Sequence, residues 1–225
     1  MMKTLFNKQS LFILCFFLLS SSLFSEESIT FSANQLKGNT NEENQYTQLL
    51  GNAFIETSDM TIQANEIILS GKDFEDIIAK GAIKGVNKES NFDFACEELT
   101  YNRKTKIALL KNKVQLDDKE NEVLAKAQII EYNQNTEIAI MQIDVSITQK
   151  DNLCTSALAI YRKKTQMLEM SGNPKIKRGE DTFQAREITL NMETEEIYLD
   201  GKVKGSVVDT SKESNEQKED TPPKE

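Results

Sequence analysis

The sequence predicts an all-β chain built from about six stacked repeats of roughly thirty residues. Two motifs recur with the same period. The first places a small residue three positions before an aliphatic one, in segments that begin at Ala64, Cys96, Ala127, Ser156 and Ala185, with a weaker copy at Ala33. The second has the form Gly-Asn-x-x-aliphatic at Gly51 and recurs with substitutions in segments that begin at Gly81, Asn112, Ile143, Gly172 and Gly201. Such a period is typical of arrays in which each unit packs on its neighbours.

Each half of the repeat has the pattern of a β-strand. Phe92, Phe94 and Cys96 alternate with polar positions, which puts the apolar set on one face of a strand. The parity then shifts by one residue, for example between Ala64 and Ile67, and this predicts a bend or bulge at the same place in every unit. Polar turns follow, and no part of the mature chain has helical periodicity.

The two ends of the chain differ from the repeats. Residues 1–25 have the pattern of a secretory signal peptide, with Lys3 and Lys8 before an apolar run of fourteen residues from Leu11 to Phe24. That run is short of the roughly twenty residues a membrane span needs. Leu23 is a poor fit to a cleavage site, so an uncleaved anchor stays open as an alternative. Residues 26–207 form the repeat domain, and the polar residues 208–225 are predicted to be a disordered tail.

Composition excludes several functions. The net charge is −9, and removal of two lysines with the signal peptide gives −11, which disfavours binding to nucleic acid. The chain has no histidine, which removes histidine-based catalysis and most zinc sites. Asp117, Asp118 and Glu120 fall in a predicted turn and are expected to be solvated. We therefore expect no enzyme activity, no cofactor and no metal.

Two sets of side chains have predicted structural roles. Cys96 and Cys154 lie two repeats apart, so strands spaced by about 4.8 Å would separate them by about 10 Å, beyond the reach of a disulfide. They are predicted to be buried free thiols. Tyr101, Tyr132 and Tyr161 share one repeat position and are predicted to form a ladder with their hydroxyls toward solvent.

Stacked repeats of this kind predict two sheets that face one another across an apolar seam. If the sheets touch, the seam is only a core, and if they splay, it is a groove suited to an extended lipid chain. The terminal edge strands would be open to head-to-tail strand addition. The predicted inward, lipid-binding residues are Ile62, Phe94, Leu99, Ile107, Leu109, Val114, Ile130, Ile138, Ile140, Leu168, Ile188 and Leu199.

Residues 29–207 resemble the OstA-like domain of the LptA-type lipopolysaccharide-transport family. The resemblance is carried by ITFSANQLKGN, LLGNAFIETSDMTIQANEIIL, FQAREITLNMETEEIYLDGKVKG and the copies between them. That domain is found in periplasmic LptA, in its anchored relative LptC and in the N-terminal part of LptD. The resemblance implies a twisted β-jellyroll of stacked antiparallel strands. Ile143 in place of the repeat glycine and Pro174 within the motif depart from the pattern.

The resemblance also implies a function in the periplasm. A protein of this family carries the acyl chains of lipopolysaccharide, or of a related glycolipid, in its apolar interior. It bridges the inner and outer membranes by edge-to-edge contact with further copies and with OstA-like domains of membrane components. Two alternatives remain at this stage, a structural envelope scaffold that assembles by edge pairing and an LptC-like anchored component.

Overall fold

The computed structural model describes residues 28–41 and 45–208. The predicted signal peptide and residues 209–225 of the predicted tail lie outside the described residues. Most of the described residues lie in β-strands, with short 3₁₀ turns at Lys72–Phe74 and Lys163–Thr165. The strands are β1 Thr30–Ser32, β2 Gln35–Asn39, β3 Tyr46–Glu56, β4 Met60–Ser70, β5 Asp76–Asn87, β6 Phe92–Asn102, β7 Ile107–Asp118, β8 Val123–Asn133, β9 Ile138–Gln149, β10 Asn152–Arg162, β11 Met167–Ser171, β12 Lys175–Arg178, β13 Asp181–Gln184, β14 Glu187–Asn191, β15 Ile197–Asp200 and β16 Lys204–Ser206.

The strands form one antiparallel sheet in which chain neighbours are also sheet neighbours. From β3 to β10 each strand pairs along its whole length with the next, so the repeat unit is a long hairpin. The prediction of an all-β stack of antiparallel strands is therefore confirmed. The prediction of two separate sheets is replaced by one continuous sheet that bends back on itself.

A bend lies at the middle of every long strand, where the sequence predicts it. The register shifts there in all seven pairings from β3–β4 to β9–β10, for example between Gln63 and Glu66 of β4. In the long strands β3, β5, β7 and β9 two consecutive residues have left-handed backbones, as at Gly81 with φ 76° and Ala82 with φ 50°. Glycine has no Cβ to clash in this conformation, which explains the recurring glycine of the second motif.

The bends divide the sheet into two halves that face each other. Half-sheet A contains the first halves of β4, β6, β8 and β10, the second halves of the odd-numbered long strands, and β1, β12, β13 and β16. Half-sheet B contains the remaining halves with β2, β11, β14 and β15. The ring of Phe92 in half-sheet A lies edge-on to the ring of Tyr132 in half-sheet B, with 4.8 Å between ring centroids. Contact between strands that are not sheet neighbours shows that the two halves pack face to face.

The bend becomes a break at both ends of the stack. β1 and β2 each pair with one half of β3, and β12 and β11 each pair with one half of β10. Pro174 lies in the break between β11 and β12, where no ladder hydrogen bond needs its missing N–H group. Within residues 28–41 and 45–208 we find no helix with the length and apolar character to cross a membrane.

Candidate functional site, the seam between the half-sheets

The seam between the half-sheets is filled by one contiguous apolar cluster. It extends from Leu49 on β3 to Met192 after β14, with Ile62, Ile130 and Ile147 among its completely buried members. Isoleucine, leucine and alanine predominate along the strands, and aromatic residues lie near the turns. Each repeat adds one more apolar layer, so the seam is a continuous apolar path along the stack.

Eight of the twelve predicted inward residues belong to this seam. Leu199 is partly buried and packs against the cluster. The other seven are buried, namely Ile62, Phe94, Leu99, Val114, Ile130, Leu168 and Ile188. Their predicted contact with lipid stays a prediction.

The predicted inward orientation is wrong for Ile107, Leu109, Ile138 and Ile140. On β7 the inward positions are Ala108 and Leu110, and Ile107 is 37% exposed. On β9 the inward positions are Ala139 and Met141. The segments IALL and IAIM are apolar on both faces, so alternation does not reveal which residues point inward.

The seam is closed along most of its length. The ring of Phe94 lies over Gly85, where an added Cβ would come within 2.2 Å of the ring. A cavity of about 20 Å³ remains between Met60, Phe92, Leu110 and Tyr132, beside the polar side chains of Asn87 and Gln134. That volume suits one water molecule and is too small for an acyl chain. This cavity therefore holds no acyl chain while the half-sheets are in contact.

Polar contacts close the seam opposite the bends. The turns at the free end of half-sheet A contact those at the free end of half-sheet B. Each contact joins a turn of half-sheet A to a turn of half-sheet B that lies about one and a half repeats further along the chain. We call these contacts clasps and number them along the stack. The first joins Asp59 to Lys106, the second Glu89 to Gln134, the third Asp118 and Glu120 to Lys163, and the fourth Lys150 to Glu195.

The second clasp is made by a carboxylate, amides and hydroxyls. Gln134 donates from Nε2 to Glu89, and its Oε1 accepts from Tyr101 Oη at 3.2 Å and from Asn87 Nδ2 at 3.4 Å. Tyr132 Oη bonds to Ser90 Oγ at 2.8 Å.

The tyrosine ladder is buried, and its hydroxyls do not face solvent. Tyr101, Tyr132 and Tyr161 direct their hydroxyls into the second and third clasps, so the predicted solvent orientation is wrong. A buried phenol needs a hydrogen-bond partner, and the opposing turn supplies it. Burial raises the pKa of Tyr132 to about 12.

The third clasp is a buried ion pair. Lys163 Nζ lies 2.7 Å from Asp118 Oδ1 and 3.0 Å from Glu120 Oε2, and the Lys163 and Asp118 side chains are only 9% and 8% exposed. Burial lowers the pKa of Lys163, but the two carboxylates outweigh it and leave that pKa above its usual value. Asp118 was expected in a solvated turn, and that expectation is wrong because this lysine on the other half-sheet covers it.

The outer two clasps are also ionic. Burial raises the pKa of Asp59, but hydrogen bonds from Lys106 and Ser58 outweigh it and leave the pKa below its usual value. At the fourth clasp, Lys150 Nζ lies 3.3 Å from Glu195 Oε1, and both side chains are about half exposed. Exposed pairs of this kind contribute little to stability.

The cysteines have no role in the clasps. Both are buried and free, as predicted, and burial raises each thiol pKa to about 12. Thiols with such a pKa are unreactive near neutral pH. No group of three or more potential metal ligands is present in the described part of the chain.

The fold and the seam define a class of protein, an array of β-hairpins folded around a continuous apolar interior. The sequence profile of the family described as OstA-like protein matches residues 27–185. The chain belongs to this OstA-like family. No match was found among curated protein sequences.

Among solved structures, the chain is similar to LptH from Pseudomonas aeruginosa. That protein is described as the LptA homologous periplasmic component of the conserved lipopolysaccharide transport device. The TM-score is 0.26 and the identity 8%, over 82% of this chain and 97% of that chain.

Proposed function

We propose that this protein carries lipopolysaccharide or a related acylated glycolipid across the periplasm, with its acyl chains held between the half-sheets. The observation that carries the proposal is the unbroken apolar seam, which is joined by backbone at the bends and by side-chain contacts at the clasps. Membership of the OstA-like family supports the same function.

Lipid can replace the contacts that the half-sheets lose when they separate. Each methylene group moved from water into an apolar environment contributes about 0.8 kcal/mol, so a chain of about ten such groups contributes about 8 kcal/mol. The inner faces then stay in apolar surroundings, because they contact acyl chains in place of each other. The bends can act as hinges, since each is a short irregular segment between two regular halves.

The two ends of the stack suit contact with similar domains. In the part of the chain that the structure describes, β1 and β2 pair only with β3, β15 pairs only with β14, and β16 only with β13. Each end therefore presents unpaired backbone groups, which favour strand addition. Head-to-tail addition of copies, and of OstA-like domains of membrane components, would extend the apolar seam into a bridge between the membranes.

A second candidate is a structural scaffold that assembles by the same edge pairing and carries no lipid. The filled seam favours it, since a cavity of about 20 Å³ leaves no space for a ligand in the closed state. The two candidates differ in one property, which is whether acyl chains ever contact the inner faces. The LptC-like alternative depends on residues outside the described part of the chain.

Photo-crosslinking at two phenylalanines separates these candidates. Phe94 points into the seam, whereas Phe54 lies half-buried on the outer face of the same half-sheet. Each is replaced in turn by p-benzoylphenylalanine, and the purified protein is irradiated with lipopolysaccharide. The carrier function predicts that lipid is crosslinked at position 94 and not at position 54.

The scaffold function predicts no crosslinked lipid at position 94. Equal crosslinking at both positions would mean that lipid coats the surface, and it would contradict the assignment of the seam. Circular dichroism of both variants checks that the strands are intact.

A further inference from the structure

The four clasps do not hold the seam equally. The third buries an ion pair, and separating it would leave Lys163 without its two carboxylates and Asp118 without its lysine. The second joins Glu89 to the uncharged amide of Gln134. Water can replace each of its hydrogen bonds when the turns move apart, so its opening is less costly.

A small unfilled part of the seam lies beneath this second clasp. The small cavity is lined by Asn87 and Gln134 of the clasp itself and by Lys106 of the first clasp. Its deeper wall is apolar, with Phe92, Phe94, Leu99 and Leu110 among the lining residues. A gap in the packing thus lies directly behind a clasp that is closed without an ion pair.

We propose that an acyl chain enters the seam sideways through the second clasp, between the turn at residues 88–91 and the turn at residues 134–137. This inference rests on the proposed carrier function and adds the route of entry. The carboxylate–amide contact opens, the cavity behind it receives the end of the chain, and the half-sheets separate outward from there. The ion-paired third clasp keeps the neighbouring part of the stack closed at that stage.

A covalent link across the second clasp tests the route. Cys15→Ala, Cys96→Ala and Cys154→Ala together give a cysteine-free protein. Glu89→Cys with Gln134→Cys then places one thiol on each side of the clasp. A short bismaleimide joins the thiols. The matched control is Gln115→Cys with Lys126→Cys, two exposed residues that are paired across β7 and β8 within half-sheet A.

The readout is the rate at which each protein takes up cis-parinaric acid, a fatty acid that fluoresces when it is buried. Linking the second clasp should slow uptake by about tenfold or more, whereas the control link should leave the rate unchanged. Unchanged uptake after linking the clasp would overturn the proposed route and leave the carrier function standing, with entry from the ends of the stack. Slow uptake in both linked proteins would also overturn it, since stiffness alone would then explain the loss.

If the unlinked protein took up neither cis-parinaric acid nor lipopolysaccharide, the carrier function itself would be refuted.

A single substitution provides a second test that needs no crosslinker. Gln134→Ala removes the amide of the clasp and should speed uptake by about threefold, by analogy with lids whose opening limits a rate. The control Gln115→Ala, on the outer face, should leave the rate unchanged, and an unchanged rate for Gln134→Ala would count against the route.

Discussion

The second and third clasps occupy the same position in successive repeats, yet they hold the seam in different ways. The third buries Lys163 between two carboxylates, whereas the second relies on Gln134 and hydroxyl groups above a small cavity. The repeat therefore fixes where the half-sheets meet, and the side chains in each copy determine how firmly they are held. A periodic scaffold can in this way be held more firmly at one repeat than at the next without any change of fold.

Loss of the third clasp should have the largest effect. Lys163→Ala leaves Asp118 buried without its ion-pair partner, which should cost about 3 to 5 kcal/mol of the free energy of unfolding. Gln134→Ala in the second clasp should cost less, about 1 to 3 kcal/mol, because it removes an acceptor from the buried donors of Tyr101 and Asn87. Urea denaturation of both variants measures the difference. The double variant Lys163→Met with Asp118→Leu should recover most of the loss, and equal costs for the two single variants would remove the contrast between the clasps.

Two adjacent leucines on β7 test which face of the strand lines the seam. Leu110 is 2% exposed and Leu109 lies half-buried on the outer face. Leu110→Ala should cost about 2 to 5 kcal/mol because it leaves a cavity in the core, and Leu109→Ala less than about 1 kcal/mol. Thermal and urea unfolding give both values. A reversed order would restore the inward orientation that the sequence predicts for Leu109.

The bends, on the opposite side of the fold from the clasps, also differ between repeats in the residue at one position. Gly81 of β5 and Ile143 of β9 occupy the same bend position, with φ values of 76° and 66°. A side chain in this region costs about 1 to 2 kcal/mol, so Gly81→Ala should destabilise by about that amount. Ile143→Gly should stabilise by about 1 kcal/mol, because the relieved strain exceeds the added freedom of the unfolded chain. Chemical denaturation measures the change in the free energy of unfolding for both variants. A loss of stability on Ile143→Gly would contradict the backbone strain inferred at Ile143.

The first clasp should respond to acid, with the smallest effect of the series. The pKa of Asp59 lies below its usual value in the folded state, so its stabilising contribution is complete above the unfolded pKa and is lost as pH falls through the folded pKa. Between about pH 5 and pH 2 the wild type should lose more stability than Asp59→Asn. Parallel curves for the two proteins over that range would show that the Lys106 contact contributes nothing.

The sequence predicts most of the strands and bends, because the repeated motifs reflect backbone conformation. Glycine recurs at Gly51, Gly81, Gly172 and Gly201 because the bend needs a left-handed residue, and alternation on each side of the bend marks the strands. The sequence does not predict which residues point into the seam where both faces of a strand are apolar. Ile138 and Ile140 have inward neighbours, Ala139 and Met141, that are no more hydrophobic than they are.

The clasps cannot be predicted in the same way, because each joins turns about one and a half repeats apart and depends on the twist of the whole stack. Their polar residues do recur with the period of the repeat. Lys106, Gln134 and Lys163 lie one repeat apart, as do Asp59, Glu89 and Asp118. That signal shows that the positions are equivalent, but it does not show which two turns meet or that Asp118 is buried.

The most direct test of the account is the distance between the half-sheets with and without lipid. Gln115→Cys and Glu131→Cys, in the cysteine-free protein, place spin labels on the exposed outer faces of half-sheets A and B. Double electron–electron resonance then measures their separation before and after addition of lipopolysaccharide. A carrier that opens at its clasps predicts a longer distance when lipid is bound. An unchanged distance with lipid bound to the protein would contradict the opening of the seam.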